Sequence, residues 1–223
     1  MDCFGDGPDP LQDQGNRMRD KTHSFALWRL VPACLLLPLF LTGCFGPPRA
    51  EEVKTYLLDA NFPPAAVRRG VVLLVAPPRA SPGYDTAAMV YGRGPQELNH
   101  FARHRWADAP ARMLAPLIVQ ALEGSGGFAA VVTPPTAARA GLRLDTEVMR
   151  LRQNFGRLPS RVEFVLRAQL TDLASGGVVA SRTFSATVES ERDTPEAGAL
   201  AANRAVKTVL DELAAWAAQR ISP

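Results

Sequence analysis

Few side chains in this 223-residue sequence could do chemistry, and their spacing limits what that chemistry is. His100 and His104 stand four residues apart, a separation that on a helix would turn two imidazoles toward one metal ion. The Phe101-Ala102-Arg103 between them lacks the glutamate of the zinc-protease motif, and the segment has no helical period, so surface histidines are the favoured reading. No Gly-x-Ser-x-Gly elbow and no phosphate loop occurs, and Gly92-x-Gly94 runs into Pro95 where a dinucleotide fingerprint needs a helix start. The acid pairs Glu51-Glu52 and Asp211-Glu212 fall in a tether and on the polar side of a helix, where solvated charge is the ordinary reading. Cysteine is left, as Cys3, Cys34 and Cys44. No catalytic residue, metal site or cofactor is assigned.

Cys44 stands at the end of Leu41-Thr42-Gly43-Cys44, which closes an apolar run from Leu30 to Leu41 preceded by Arg19, Lys21 and Arg29. A basic start, an apolar middle and small residues before a cut make a secretory signal, and here the cut falls before a cysteine. The tetrapeptide resembles the bacterial lipobox, in which the thiol is diacylated and the signal removed, leaving Cys44 as a lipidated N-terminus. The apolar run is about 12 residues, short of the ~20 that cross a bilayer, and Pro32 and Pro38 interrupt it. Two or more acyl chains, at ~0.8 kcal/mol per buried CH2, would hold the protein stably on a membrane.

These features divide the chain. Residues 1–17 carry four aspartates that do not suit a basic leader, and Met18 is the better start, so this stretch reads as a gene-start artefact. Residues 18–43 are the signal, 44–54 a tether, and 55–223 one domain. Cys3 and Cys34 leave with the leader and signal, so an exported domain with only an acylated thiol must be held by packing rather than disulfides. From Phe45 onward there are 21 Lys plus Arg against 17 Asp plus Glu, a net charge of about +4. The basic residues are scattered, nineteen of them arginine, which argues for a solvated surface and against nucleic acid.

Within the domain, Thr55 to Leu58 reads as a short strand, and Val71 to Val75 as one buried on both faces, stopped by Pro77 and Pro78. A short strand is expected at Met89-Val90-Tyr91, and the stretch around Leu98, Phe101 and Trp106 is apolar without a period, strand or turn. Asp108 as cap and Pro110 in the first turn begin a helix with Leu114, Leu117, Ile118 and Leu122 on one face, Pro116 within it, and glycines at its end. Phe128 to Val132 is a further strand. Leu142 to Val148, Val162 to Leu170 and Val178 to Val188 alternate apolar and polar as an antiparallel meander, with a phase slip near Met149 that predicts a bulge. Thr194-Pro195-Glu196 starts a last helix with Val206, Val209, Leu210, Leu213 and Trp216 as its stripe. The expected fold is α+β, a single domain with a mixed, mostly antiparallel sheet and two main helices packed on one face.

Tyr84, Met89, Tyr91, Phe101 and Trp106 crowd into 23 turn-rich residues. They either cover one end of the core or form a partner-binding surface, since loops carry binding residues and aromatics are enriched at interfaces.

The lipobox, the Tyr56-Leu57-Leu58 strand, the Val71 to Val75 strand ending in Pro77, the block Tyr84-Asp85-Thr86-Ala87-Ala88-Met89-Val90-Tyr91 and Trp106 leading into a helix together resemble the ABC-type transport auxiliary lipoprotein family, over roughly Tyr56 to Trp216. The resemblance implies a non-catalytic, periplasm-facing lipoprotein encoded with a permease, an ATPase and a membrane-anchored MCE-type substrate-binding protein. Such systems move phospholipids or other hydrophobic molecules across the Gram-negative envelope. It implies docking on the MCE-type protein and a homo-oligomer as a further option. Phe45 after the cysteine is similar to lipoproteins sent to the outer membrane. The competing readings are a structural lipoprotein of another envelope machine, such as a secretion pilot or polysaccharide-export component, and a periplasmic hydrolase, which would need a polar cleft with a perturbed His or carboxylate.

Overall fold

The alternation of residues 142–189 builds the middle of the sheet. The computed structural model describes residues 52–68 and 70–220; the leader, the signal, Cys44 and most of the tether lie outside them. Three long strands, β7 (Leu142–Asn154), β8 (Arg161–Asp172) and β9 (Val178–Glu189), pair antiparallel in chain order, as the sequence predicts. Their inward side chains include Leu144, Phe164, Leu166 and Leu170, all fully buried, while the alternate Arg143, Arg167 and Thr183 face water. The turn into β9 uses Gly176 at φ 71°, a left-handed backbone that glycine takes without a Cβ clash. The register of β7 against β8 slips between Val148 and Arg150. That is the expected bulge at Met149, and it lets Leu151 return to the core after Val148.

The other edge of β7 is covered by three short strands in succession. β2 (Val72–Val75) runs parallel to its start, β3 (Arg79–Ala80) to its middle and β4 (Ala88–Gly92) to its end. Pro77 and Pro78 separate the first two, since proline has no N–H for a sheet ladder. Beyond β2 lies β6 (Ala130–Val132), parallel, and beyond β4 lie β5 (Asn99–Trp106), antiparallel, and β1 (Lys54–Tyr56), parallel to β5. The result is an open nine-stranded mixed sheet.

Both helices pack on one face of it. α1 (Pro110–Gly124) inserts Leu114, Ile118 and Leu122, all fully buried, and continues through Pro116, whose ring faces solvent. Its cap differs from expectation by one residue: Ala109 is the N-cap, while Asp108 accepts a hydrogen bond from the Ala109 N–H at 2.8 Å and pairs with Arg112 one turn on. The Arg112 guanidinium and the Ala109 amide hold the Asp108 carboxyl down at about 2. α2 (Pro195–Gln219) starts as predicted, with Thr194 Oγ1 accepting from Ala197 N–H at 3.3 Å. Alternating small and large residues, Ala201, Ala205, Val206, Val209 and Leu213, bring its axis close over β8 and β9.

One buried amide joins the sheet to the start of α2. Gln153, 3% exposed, donates to Ser160 Oγ at 2.9 Å and to Thr194 C=O at 3.1 Å. A Cβ on Gly198 would collide with this amide, so glycine is what lets the first turn of α2 sit on β7.

Candidate functional site

The five aromatic and Met positions singled out from sequence separate into two groups. Met89 and Trp106, 4% and 3% exposed, belong to the core beneath α2 rather than to a surface. The physical reason is that Trp106 ends β5, with its backbone N–H on Ala87 C=O at 2.8 Å, and both side chains point toward the helix layer. Tyr84 is half-buried in the loop before β4 and makes no ring contact with the others. Tyr91 and Phe101 come together, stacked at 4.4 Å between centroids.

A strand defect places Phe101 there. Ala88 of β4 pairs with Arg105 of β5, and Val90 pairs with His100, so residues 101–104 bulge out of register. A bulge rotates side chains off strict alternation, which is why this stretch shows no period in sequence. Its consequence is a continuous row of half-buried rings. Phe155, just past β7, meets Tyr91 edge-on at 6.0 Å and Phe101 at 6.3 Å. His104 meets Phe101 edge-on at 6.1 Å and stacks on Tyr56 at 5.8 Å. Phe155 and Tyr56 are missed by sequence reasoning as site residues, because neither lies near Tyr91 in the chain. Only the parallel pairing of β4 with the end of β7 brings Phe155 in, through Phe155 N–H on Gly92 C=O at 2.8 Å.

A polar cluster closes the β1 end of the row. Tyr56 Oη and His104 Nδ1 share a hydrogen bond at 2.9 Å, Glu196 Oε1 lies 3.9 Å from the same nitrogen, and Lys54 Nζ donates to Glu196 at 2.9 Å. The Lys54 hydrogen bond, with help from the Glu196 amide, holds the Glu196 carboxyl down at about 2, and burial with the Glu196 charge raises the Tyr56 phenol. This arrangement fastens β1 and β5 to the first turn of α2. Of the two histidines singled out from sequence, His104 is half-buried and engaged by Tyr56, whereas His100 lies exposed at the start of the bulge. Among the described residues there is no group of three or more metal-ligating side chains, and no helix is long and apolar enough to cross a membrane.

A separate apolar cleft of about 470 Å³ opens where prolines end the short strands, between Pro77, Pro78, Pro116, Val119 and Pro134.

An open mixed sheet backed by two helices, with half-buried rings displayed along its irregular strands, defines an α+β domain. The model of the family described as ABC-type transport auxiliary lipoprotein component matches residues 56–214, and the chain belongs to that family. Among solved structures it is similar to protein XCC0632 from Xanthomonas campestris, at 28% identity over 75% of this chain and 96% of that one, with a TM-score of 0.69. A second, an uncharacterized protein at 17% identity, shares the fold over 77% of this chain and all of its own, with a TM-score of 0.56. No match is found among curated proteins. The family is one of lipoproteins auxiliary to transport, in agreement with the resemblance read from Tyr56 to Trp216.

Proposed function

We propose that the protein is a lipid-anchored envelope lipoprotein that docks, through the Tyr91–Phe101–Phe155 rings, on the MCE-type substrate-binding protein of an ABC transporter for phospholipids or other hydrophobic molecules. Acyl chains on Cys44 station the domain on the periplasmic side of the outer membrane, and the short tether keeps it near the bilayer. It turns nothing over itself. The observation that carries the reading is the row of half-buried rings at the sheet edge: interface hot spots are enriched in aromatic side chains, and rings already stacked at 4.4 Å lose little freedom on binding. Family membership over residues 56–214 supports the transporter as the kind of partner.

The test is recovery of the partner from native membranes with the full chain as bait. Mass spectrometry of the mature protein is expected to find an acylated Cys44, and the bait to recover an MCE-type protein, with recovery falling for Tyr91→Ala and for Cys44→Ala. A bare Cys44 thiol, or unchanged recovery in both variants, contradicts the proposal.

A further inference from the structure

A second recess, of about 400 Å³, lies where the turn after β4 meets the loop joining β7 to β8. Four arginines line it: Arg93, Arg152, Arg157 and Arg161. The acid in its wall is Glu163, and that carboxylate is already saturated. It accepts from Arg152 Nε at 2.9 Å, from Arg150 Nη1 at 3.3 Å and from Asn154 Nδ2 at 2.7 Å. Burial pushes Glu163 up, but those donors outweigh it and the carboxyl sits below its ordinary value, so it is a fixed charge spent on Arg152. Arg152 itself, 6% exposed, is braced again by Gly94 C=O at 3.1 Å. Arg161 has only a long contact to Glu189 at 3.5 Å, Arg93 has the charge of Glu97 nearby, and the Arg157 guanidinium makes no hydrogen bond or ion pair among the described residues.

The recess is held in shape by backbone. A Cβ on Gly156 would strike Arg93 C=O, so glycine there lets the two loops close on each other and brings Arg93 and Arg157 to one recess. Gathering guanidinia around a cavity costs like-charge repulsion unless an anion takes their fork-shaped donors. Next to Arg157, Leu158 is 71% exposed, more than any other large apolar side chain among the described residues. An exposed leucine beside unspent arginines matches a membrane interface, with apolar atoms toward acyl chains and cations at the headgroups.

We propose that this recess binds a phosphate-type oxyanion through Arg93 and Arg157, with Arg161 as a third donor and Arg152 fixed by Glu163 as the floor. The phosphate is that of a lipid headgroup or a free ion, and the proposal does not depend on the docking role of the aromatic row.

Calorimetric titration of the full chain in a non-ionic detergent, with inorganic phosphate and separately with dihexanoyl phosphatidylglycerol, tests it. Saturable one-to-one binding of at least one probe is expected, weakened about tenfold or more by the double change Arg93→Gln and Arg157→Gln. The control pair Arg139→Gln and Arg220→Gln, exposed and elsewhere, is expected to leave affinity unchanged. Equal affinity for the two probes assigns the site to free phosphate. Tighter lipid binding that Leu158→Ser weakens, with phosphate binding unmoved, assigns it to a headgroup. Absence of saturable binding for both probes, or equal losses in the control pair, overturns the proposal.

Discussion

The β7–β8–β9 meander uses 12 or 13 residues per strand, whereas β1 to β6 use between two and eight and are cut by prolines and a bulge. The long strands with α2 supply most of the fully buried side chains, including Phe164, Leu166, Leu170, Leu210 and Leu213. The short strands supply the half-buried rings, the proline-lined cleft and one wall of the arginine recess. Long regular pairing fixes a strict alternation of side chains into and out of the core, while interrupted pairing leaves side chains partly exposed in fixed places. On the proposed reading, stability and recognition are carried by different stretches of one sheet.

That division can be broken most easily from the stable side. Phe164→Ala removes a fully buried ring between β7 and β9 and is expected to cost about 3–5 kcal/mol, read as a lowered denaturant midpoint with unchanged slope. A loss under about 1 kcal/mol would mean the meander is not where stability resides. Gly198→Val drives a side chain into Gln153, which cannot swing away without giving up Ser160 and Thr194, and is expected to cost about 1–3 kcal/mol.

The smallest effect concerns the seam between the two regions. Glu196 is held at about 2, below the ordinary 4.5, chiefly by the Lys54 hydrogen bond. A depressed carboxyl contributes stability that is fully present above its unfolded pKa and is lost as pH falls from about 4.5 through 2. The pair is exposed at 59% and 37%, so solvent screening keeps the contribution small. Glu196→Gln is expected to lower Tm slightly near pH 7 and to leave it almost unchanged near pH 2, which flattens the acid limb of the Tm profile; an equal shift at all pH values would refute the assignment.

How much of this is legible in the chain divides along the same line. The alternation from Leu142 to Val188, the slip at Met149 and the Thr194-Pro195-Glu196 start all reappear in the fold, because each is a local pattern with a local cause. The two-helix, mixed-sheet architecture is their sum. The edge is harder. Residues 101–104 escape any period because they bulge, Trp106 and Met89 look like surface residues in a turn-rich stretch yet turn inward, and Phe155 joins Tyr91 only through a parallel pairing of strands far apart in the chain. Arg93 and Arg157 likewise meet through that pairing, which no spacing announces.

Docking through the aromatic row is tested most directly by site-specific photocrosslinking in cells, with benzoyl-phenylalanine placed at Phe101 or Tyr91 and, for contrast, at Val179 on the far strand β9. The expected result is an MCE-type protein crosslinked from Phe101 and Tyr91 and not from Val179. A partner captured equally from Val179, or from none of the three positions while the lipoprotein remains anchored, would contradict it.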